Sequence, residues 1–227
     1  MMVNKGETYK KAQEYWANIP ATVDGVLGGF GYISQIDIEG SQLFLKSILS
    51  KEQAPLPKLA LDCGAGIGRV SKFLLMPFFD KVDLVEPDKK FLDAAKVFIG
   101  CEEKLGSMYM VGLQEFSPEK KYDVIWNQWV LGHLNDNDLV SYFSRCRDAI
   151  TEDGVIVVKE NVSSSNNTVF DDTDSSVTRP LNKLLAIFKK AKLKRISQCK
   201  QSNFPSGLFP VYMFALKPVI SGGKETQ

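Results

Sequence analysis

Lys58-Leu59-Ala60-Leu61-Asp62-Cys63-Gly64-Ala65-Gly66-Ile67-Gly68-Arg69 is a short apolar run that stops at glycines and leads into a helix-like stretch reaching Phe79, broken at Pro77. The apolar run reads as a buried strand. Glycines at its end allow a tight turn and a close approach of ligand to backbone at the start of the following helix. Downstream the pattern repeats. Residues 81–86 form a second predicted strand halted by Pro87. Asp88 is placed to cap a helix with Phe91, Leu92, Ala95 and Phe98 on one face. Further strands are predicted at 107–111, 122–126 and 154–159, with a helix at 137–150. Such alternation specifies α/β architecture with a mostly parallel sheet covered on both faces.

The chain has 227 residues, 44% apolar and 24% charged, which fits one large domain and excludes disorder and collagen-like repeats. Residues 1–55 read as a helical, lid-bearing addition, 56–220 as the core and 221–227 as a tail. No apolar stretch approaches the ~20 residues of a membrane helix, and no apolar leader is seen, so an intracellular protein is expected. The 28 basic and 27 acidic residues argue against a nucleic-acid binder. A basic run at 189–200 reads as the solvated face of a helix entering an edge strand. Cys63, Cys101, Cys146 and Cys199 are widely spaced and there is one histidine, so no metal site is expected.

The glycine loop leaves two ligands to weigh. A dinucleotide fingerprint needs glycine where this chain has Arg69. S-adenosylmethionine fits better: Arg69 and the loop amides offer partners for its carboxylate, and Glu86, closing the second strand, for its ribose hydroxyls. Leu113-Gln114 follows the third strand, where an adenine edge would lie. Gln128, Trp129 and His133 follow the fourth strand and face the ligand crevice of an open α/β sheet. Asp171-Asp172-Thr173-Asp174-Ser175-Ser176 reads either as the cap of the next helix, through Asp174 or Ser175, or as a negative pocket for a cationic acceptor. The segment 24–33, with four glycines among aromatics, reads as a lid or as a hairpin. Tyr15 and Trp16 are either core or the wall of an acceptor groove.

With Tyr15-Trp16, Thr22-Val23-Asp24-Gly25, Leu27-Gly28-Gly29, the glycine loop, Gln128-Trp129, Gly132-His133 and Asp174-Ser175-Ser176-Val177, the chain resembles the eukaryotic protein α-N-terminal methyltransferases. These modify N-termini beginning X-Pro-Lys after removal of the initiator methionine. The resemblance covers roughly residues 15–216. It implies a Rossmann-like class I S-adenosylmethionine-dependent fold with a seven-stranded sheet and an N-terminal helical addition. It puts the cofactor on Gly64, Gly66, Arg69, Glu86, Leu113, Gln114 and Gln128. The first substrate residues would lie against Trp16, Leu27, Ile33, Trp129 and Asn161, and the substrate lysine near Asp171, Asp174 and Ser176. Asp174 and His133 are the implied catalytic pair. The implied activity is mono-, di- and trimethylation, ribosomal-protein-type N-termini included. Implied partners are X-Pro-Lys tails, with no nucleic acid and no membrane. Cytoplasm is the expected compartment, with nuclear presence allowed by the basic run, and a monomer is expected. The rival reading is a small-molecule methyltransferase using the same cofactor.

Overall fold

The computed structural model describes residues 5–219. The first four residues and the expected tail at 221–227 lie outside the described residues. The elements, in chain order, are α1 (Lys5–Asn18), the one-turn α2 (Val23–Val26), α3 (Ser34–Leu49), β1 (Leu59–Cys63), β2 (Lys81–Val85), α4 (Lys89–Ile99), β3 (Leu105–Tyr109) and β4 (Tyr122–Gln128). They continue with α5 (Asp136–Asp148), β5 (Ile150–Ser163), β6 (Val169–Asp171), β7 (Ser176–Pro180), α6 (Leu181–Lys190), β8 (Leu193–Lys200) and β9 (Val211–Pro218).

Five strands run parallel in the order β3-β2-β1-β4-β5; β9 joins β5 antiparallel, and β8 joins β9 antiparallel. These are the seven expected strands. Successive side chains alternate between two cores, as period-2 geometry requires. Leu61, Ile125 and Ile156 pack on one face with Phe143, Phe188 and Phe214; Ala60, Trp126 and Val157 pack on the other with Leu45, Ile48 and Leu74. The chain order reverses between β1 and β4, so the crevice at their carboxyl ends is the switch point where α/β sheets take ligands.

Four readings are revised. The helix predicted after the glycine loop is mostly a π-turn at Ser71–Leu75, with Met76 N–H donating to Ser71 C=O, and it ends at Pro77. Residues 161–178, whose polar composition reads as a loop, are not one. Strand β5 continues into them to Ser163, and β6 and β7 form an antiparallel hairpin in the register Val169↔Thr178, Phe170↔Val177, Asp171↔Ser176. Its β-branched and aromatic residues favour strands even where the composition is polar. Asp174 and Ser175 occupy the turn of this hairpin, with Ser175 at φ 57°. The cap position of α6 is instead Pro180, with no side-chain bond. The front segment is no hairpin either. Thr22 Oγ1 caps α2 through Gly25 N–H, Gly28 and Gly29 turn the chain at φ 60° and 86°, and Asp24 Oδ1 accepts Gly31 N–H to start a one-turn 3-10 helix at Gly31–Ile33.

Candidate active site

The carboxyl ends of β1, β2 and β4 open into a cleft of about 460 Å³, roofed by α1 and by Leu27 of the front segment. Gly64, Gly66, Arg69, Glu86, Leu113, Gln114, Gln128, Trp129 and His133 line it, as does Trp16 from the roof. The fold thus brings residues from five separate segments to one cleft. Ile33, Asn161, Asp171, Asp174 and Ser176 are not in this wall; they belong to the front segment, to β5 and to the hairpin beside it.

Gly64, Gly66 and Gly68 sit at φ 72°, 55° and 77°, a region that side chains rarely adopt. A methyl group added at Gly64 would lie 2.5 Å from Val130. The turn thus depends on glycine, and three of its amides have acceptors within the protein: Gly64 and Ala65 N–H donate to Val85 C=O, and Gly66 N–H donates to Glu86 Oε2. These three amides are thus engaged within the protein. The loop offers shape and carbonyls, and Arg69 is the cation.

Glu86 Oε1 accepts Asp88 N–H at 3.1 Å. Burial outweighs these two bonds and pushes its carboxyl up to about 7. Each oxygen keeps acceptor capacity for a hydroxyl donor in the cleft. Asp62 takes both the N–H and the hydroxyl of Ser71 at 2.9 and 2.6 Å, and burial raises it to about 6. Gln128 is oriented from both ends. Trp126 Nε1–H donates to its Oε1 at 3.1 Å, and its Nε2 donates to both oxygens of Asp37. Arg145 of α5 donates to the carbonyls of Leu113, Gln114 and Phe116 and so fixes the turn after β3.

His133 is held on a 3-10 turn, Leu131–His133, by groups that the sequence did not single out. Glu160 Oε1 accepts Val130 N–H and Leu131 N–H at 2.9 and 2.8 Å. Arg179 of β7 donates to the carbonyls of Leu131 and Leu134 and pairs with Asp136. Gly132 passes so close to β7 that an added methyl would lie 2.9 Å from Val177 C=O. The histidine turn and the acidic hairpin are therefore one packed unit. The sequence cue available was a pair of charges, Lys159-Glu160, ending an otherwise apolar strand.

Trp16 Nε1–H donates to His133 Nε2 at 3.1 Å, which fixes the neutral ring with its proton on Nδ1. That Nδ1–H and Trp129 Nε1–H are buried without a partner. Burial holds His133 below the ordinary histidine value, while the charge of Asp174 opposes the shift. Asp171 and Asp174 also act on Tyr15, next to Trp16, whose phenol is raised mainly by burial. Lys90 Nζ caps the chain leaving α1 through the carbonyls of Trp16, Ala17 and Ile19, and Tyr9 bonds Asp138 at 2.6 Å, so the roof is anchored at both ends.

Residues 4–217 match the family described as AdoMet dependent proline di-methyltransferase. The chain belongs to this family. It is 53% identical over 219 residues to alpha N-terminal protein methyltransferase 1 of Drosophila melanogaster, covering 95% of this chain and 78% of that one. It is 45% identical over 221 residues to N-terminal Xaa-Pro-Lys N-methyltransferase 1 of Xenopus tropicalis, covering 96% and 98%. Among solved structures, a SAM-dependent methyltransferase of Leishmania major superposes with TM-score 0.87 at 38% identity, covering 92% of this chain and 83% of that one. The fold is that of the class I S-adenosylmethionine-dependent methyltransferases, and S-adenosylmethionine is the cofactor. The residues fit it. A glycine cradle, a guanidinium, an acid with spare acceptor capacity and two orphaned donors surround one cleft. No helix among the described residues is long and apolar enough to cross a membrane.

Proposed function

We propose that this protein methylates the α-amino group of protein N-termini beginning Xaa-Pro-Lys. Beyond the family, one observation carries the reading: the single histidine, in the wall of the cofactor cleft, is bonded to a tryptophan of the N-terminal roof and feels the charge of the acidic hairpin. A cofactor wall, an acceptor groove and a cation-attracting loop meet at that side chain.

Bound S-adenosylmethionine supplies an electrophilic methyl group on a sulfonium centre. The protein must then present a neutral amine in line with it. An α-amino group has a pKa of about 8 and a lysine about 10.4, so deprotonation at pH 7 costs roughly 1.4 against 4.6 kcal/mol. One weak base serves the first and not the second. Asp174 orients the amine, and His133 accepts its proton at Nε2 once the indole N–H of Trp16 turns toward the substrate. Until then that nitrogen is occupied, which keeps the base masked. Placing the amine close and in line supplies the rest of the acceleration.

Arg69 takes the cofactor's carboxylate, Glu86 its ribose, and the turn at Leu113-Gln114 its adenine, with Gly64, Gly66 and Gln128 shaping the floor. Trp16, Leu27, Ile33, Trp129 and Asn161 hold the first substrate residues, and Asp171, Asp174 and Ser176 attract the lysine. An amine keeps a nucleophilic lone pair until it is quaternary, so we extend the reading to mono-, di- and trimethylation and to ribosomal-protein-type N-termini. The site is read as working in a monomer in the cytoplasm.

The test is mass measurement after incubation with S-adenosylmethionine and a peptide beginning Ser-Pro-Lys, free or N-acetylated. Methylation of the free peptide alone is expected. Methylation of both would move the target to a side chain, and methylation of neither would return the small-molecule reading.

A further inference from the structure

Beneath the cofactor cleft lies a charge cluster of which the proposed reaction uses only Arg69 and Gln128. Asp37 of α3 is fully buried. Its Oδ2 receives Arg69 Nη1 at 2.8 Å, its Oδ1 receives Lys159 Nζ at 2.5 Å, and Gln128 Nε2 reaches both oxygens. Lys159 is itself fully buried on β5, and its ammonium donates to Asp37 C=O, Ser41 Oγ and Gln201 Oε1 at 2.9, 2.8 and 2.8 Å. A neutral amine would waste a donor there and point a lone pair at oxygens. Two cations thus share one carboxylate. The other charge acting on Arg69 from nearby, Asp62, is engaged by Ser71. Only Arg69 of the two cations reaches the cleft wall.

Burying a cation without full compensation is costly, and an arrangement that keeps a surplus stands ready to pair with an incoming anion. We propose that Lys159 is a positioning residue for the cofactor: by taking half of Asp37 it leaves Arg69 incompletely neutralised, so that a carboxylate entering the cleft is the second anion of a buried two-cation cluster. This rests on the reading that Arg69 meets the cofactor's carboxylate. It also explains why an aspartate on an N-terminal helix is joined to the end of β5: the same contact aligns Arg69 and Gln128 together. The groups facing Lys159 are Asp37, Arg69 and the Cys199 thiol; burial lowers the ammonium and Asp37 opposes that shift.

The readout is the ratio of affinities, by calorimetry, for S-adenosylhomocysteine and its carboxamide, which differ in that one charge. Lys159→Met should cut the ratio by about tenfold or more while leaving carboxamide affinity within about twofold. The double variant Asp37→Asn with Lys159→Met again has one cation in surplus and should restore the wild-type ratio. Arg69→Met should abolish the preference. An unchanged ratio in Lys159→Met beside a lost one in Arg69→Met overturns the role of Lys159, and so does failure of the double variant to restore it. Unchanged ratios in both single variants overturn the assignment of Arg69 as well. If Lys159→Met binds neither ligand, the wild-type ratio followed upward in pH decides. It should fall as Lys159 loses its proton, and a flat ratio overturns the proposal.

Discussion

The two halves of the cleft are built differently. The cofactor half comes from three consecutive strand ends, with the glycine loop, Glu86 and Gln128 each within a few residues of a strand and each fixed by bonds to neighbours. The proposed acceptor half is gathered from α1 and the histidine turn, with the β6–β7 hairpin packed beside it, and its central bond, Trp16 to His133, spans 117 positions of sequence. The first half has its glycine geometry and its acid Glu86 fixed by backbone bonds of the protein itself. On the proposed reading the second keeps its base, His133, masked by the indole of Trp16. A preformed cofactor site beside a base opened by substrate would then hold the methyl donor without exposing a reactive geometry to water.

Asp174→Asn should separate the halves most sharply. The amide keeps the shape of the hairpin turn but removes the charge that acts on His133 and Tyr15. Methyl transfer to the free Ser-Pro-Lys peptide is expected to fall by about 10²-fold or more, with S-adenosylhomocysteine affinity within about twofold of wild type. A parallel loss of both would mean that the halves are one site and that the contrast drawn above is wrong.

Glu86→Gln sharpens the same contrast from the other side. Burial puts this carboxyl at about 7, so it is neutral in the empty protein below that pH. Ribose hydroxyls donate to the ionised form, and binding therefore weakens as pH falls. About one pH unit below that value, only roughly a tenth of the protein carries the ionised acid, and S-adenosylhomocysteine affinity should drop by about tenfold from its plateau. In Glu86→Gln that slope should vanish, with weaker binding throughout. A slope that survives would assign the titration to another buried acid, Asp62 or Glu160, both also raised by burial.

This difference in construction also decides how far the sequence could be read. Gly64, Gly66, Arg69 and Glu86 follow strands at short, regular offsets, so local pattern alone predicts their common crevice. His133 was legible because it trails β4 by a few residues. Glu160 and Arg179, which hold its turn, were not: each acts on backbone carbonyls or amides far away in sequence, and no spacing rule encodes that contact. Asp37 was hidden for the same reason, since a lone acid on a helix reads as solvent-exposed until its two cations are brought to it. The hairpin was missed because only Val169-Phe170 and Val177 interrupt a polar run, and pairing across the turn, not composition, makes it a strand pair.

Trp16→Phe gives the smallest expected effect and the finest test of the mask. Phenylalanine keeps the aromatic contact with Phe91 but cannot donate to His133 Nε2. The indole N–H stabilises the neutral ring, so its loss raises the tendency of His133 to protonate, against the burial that lowers it. The acid limb of kcat/KM should therefore move to higher pH, with only about a threefold loss on the alkaline plateau, a scale set by one hydrogen bond of about 0.5–1.5 kcal/mol. If the limb stays where it was and the plateau alone falls, Trp16 acts only as a wall of the groove. The base would then be open from the start, and the acceptor half as preformed as the cofactor half.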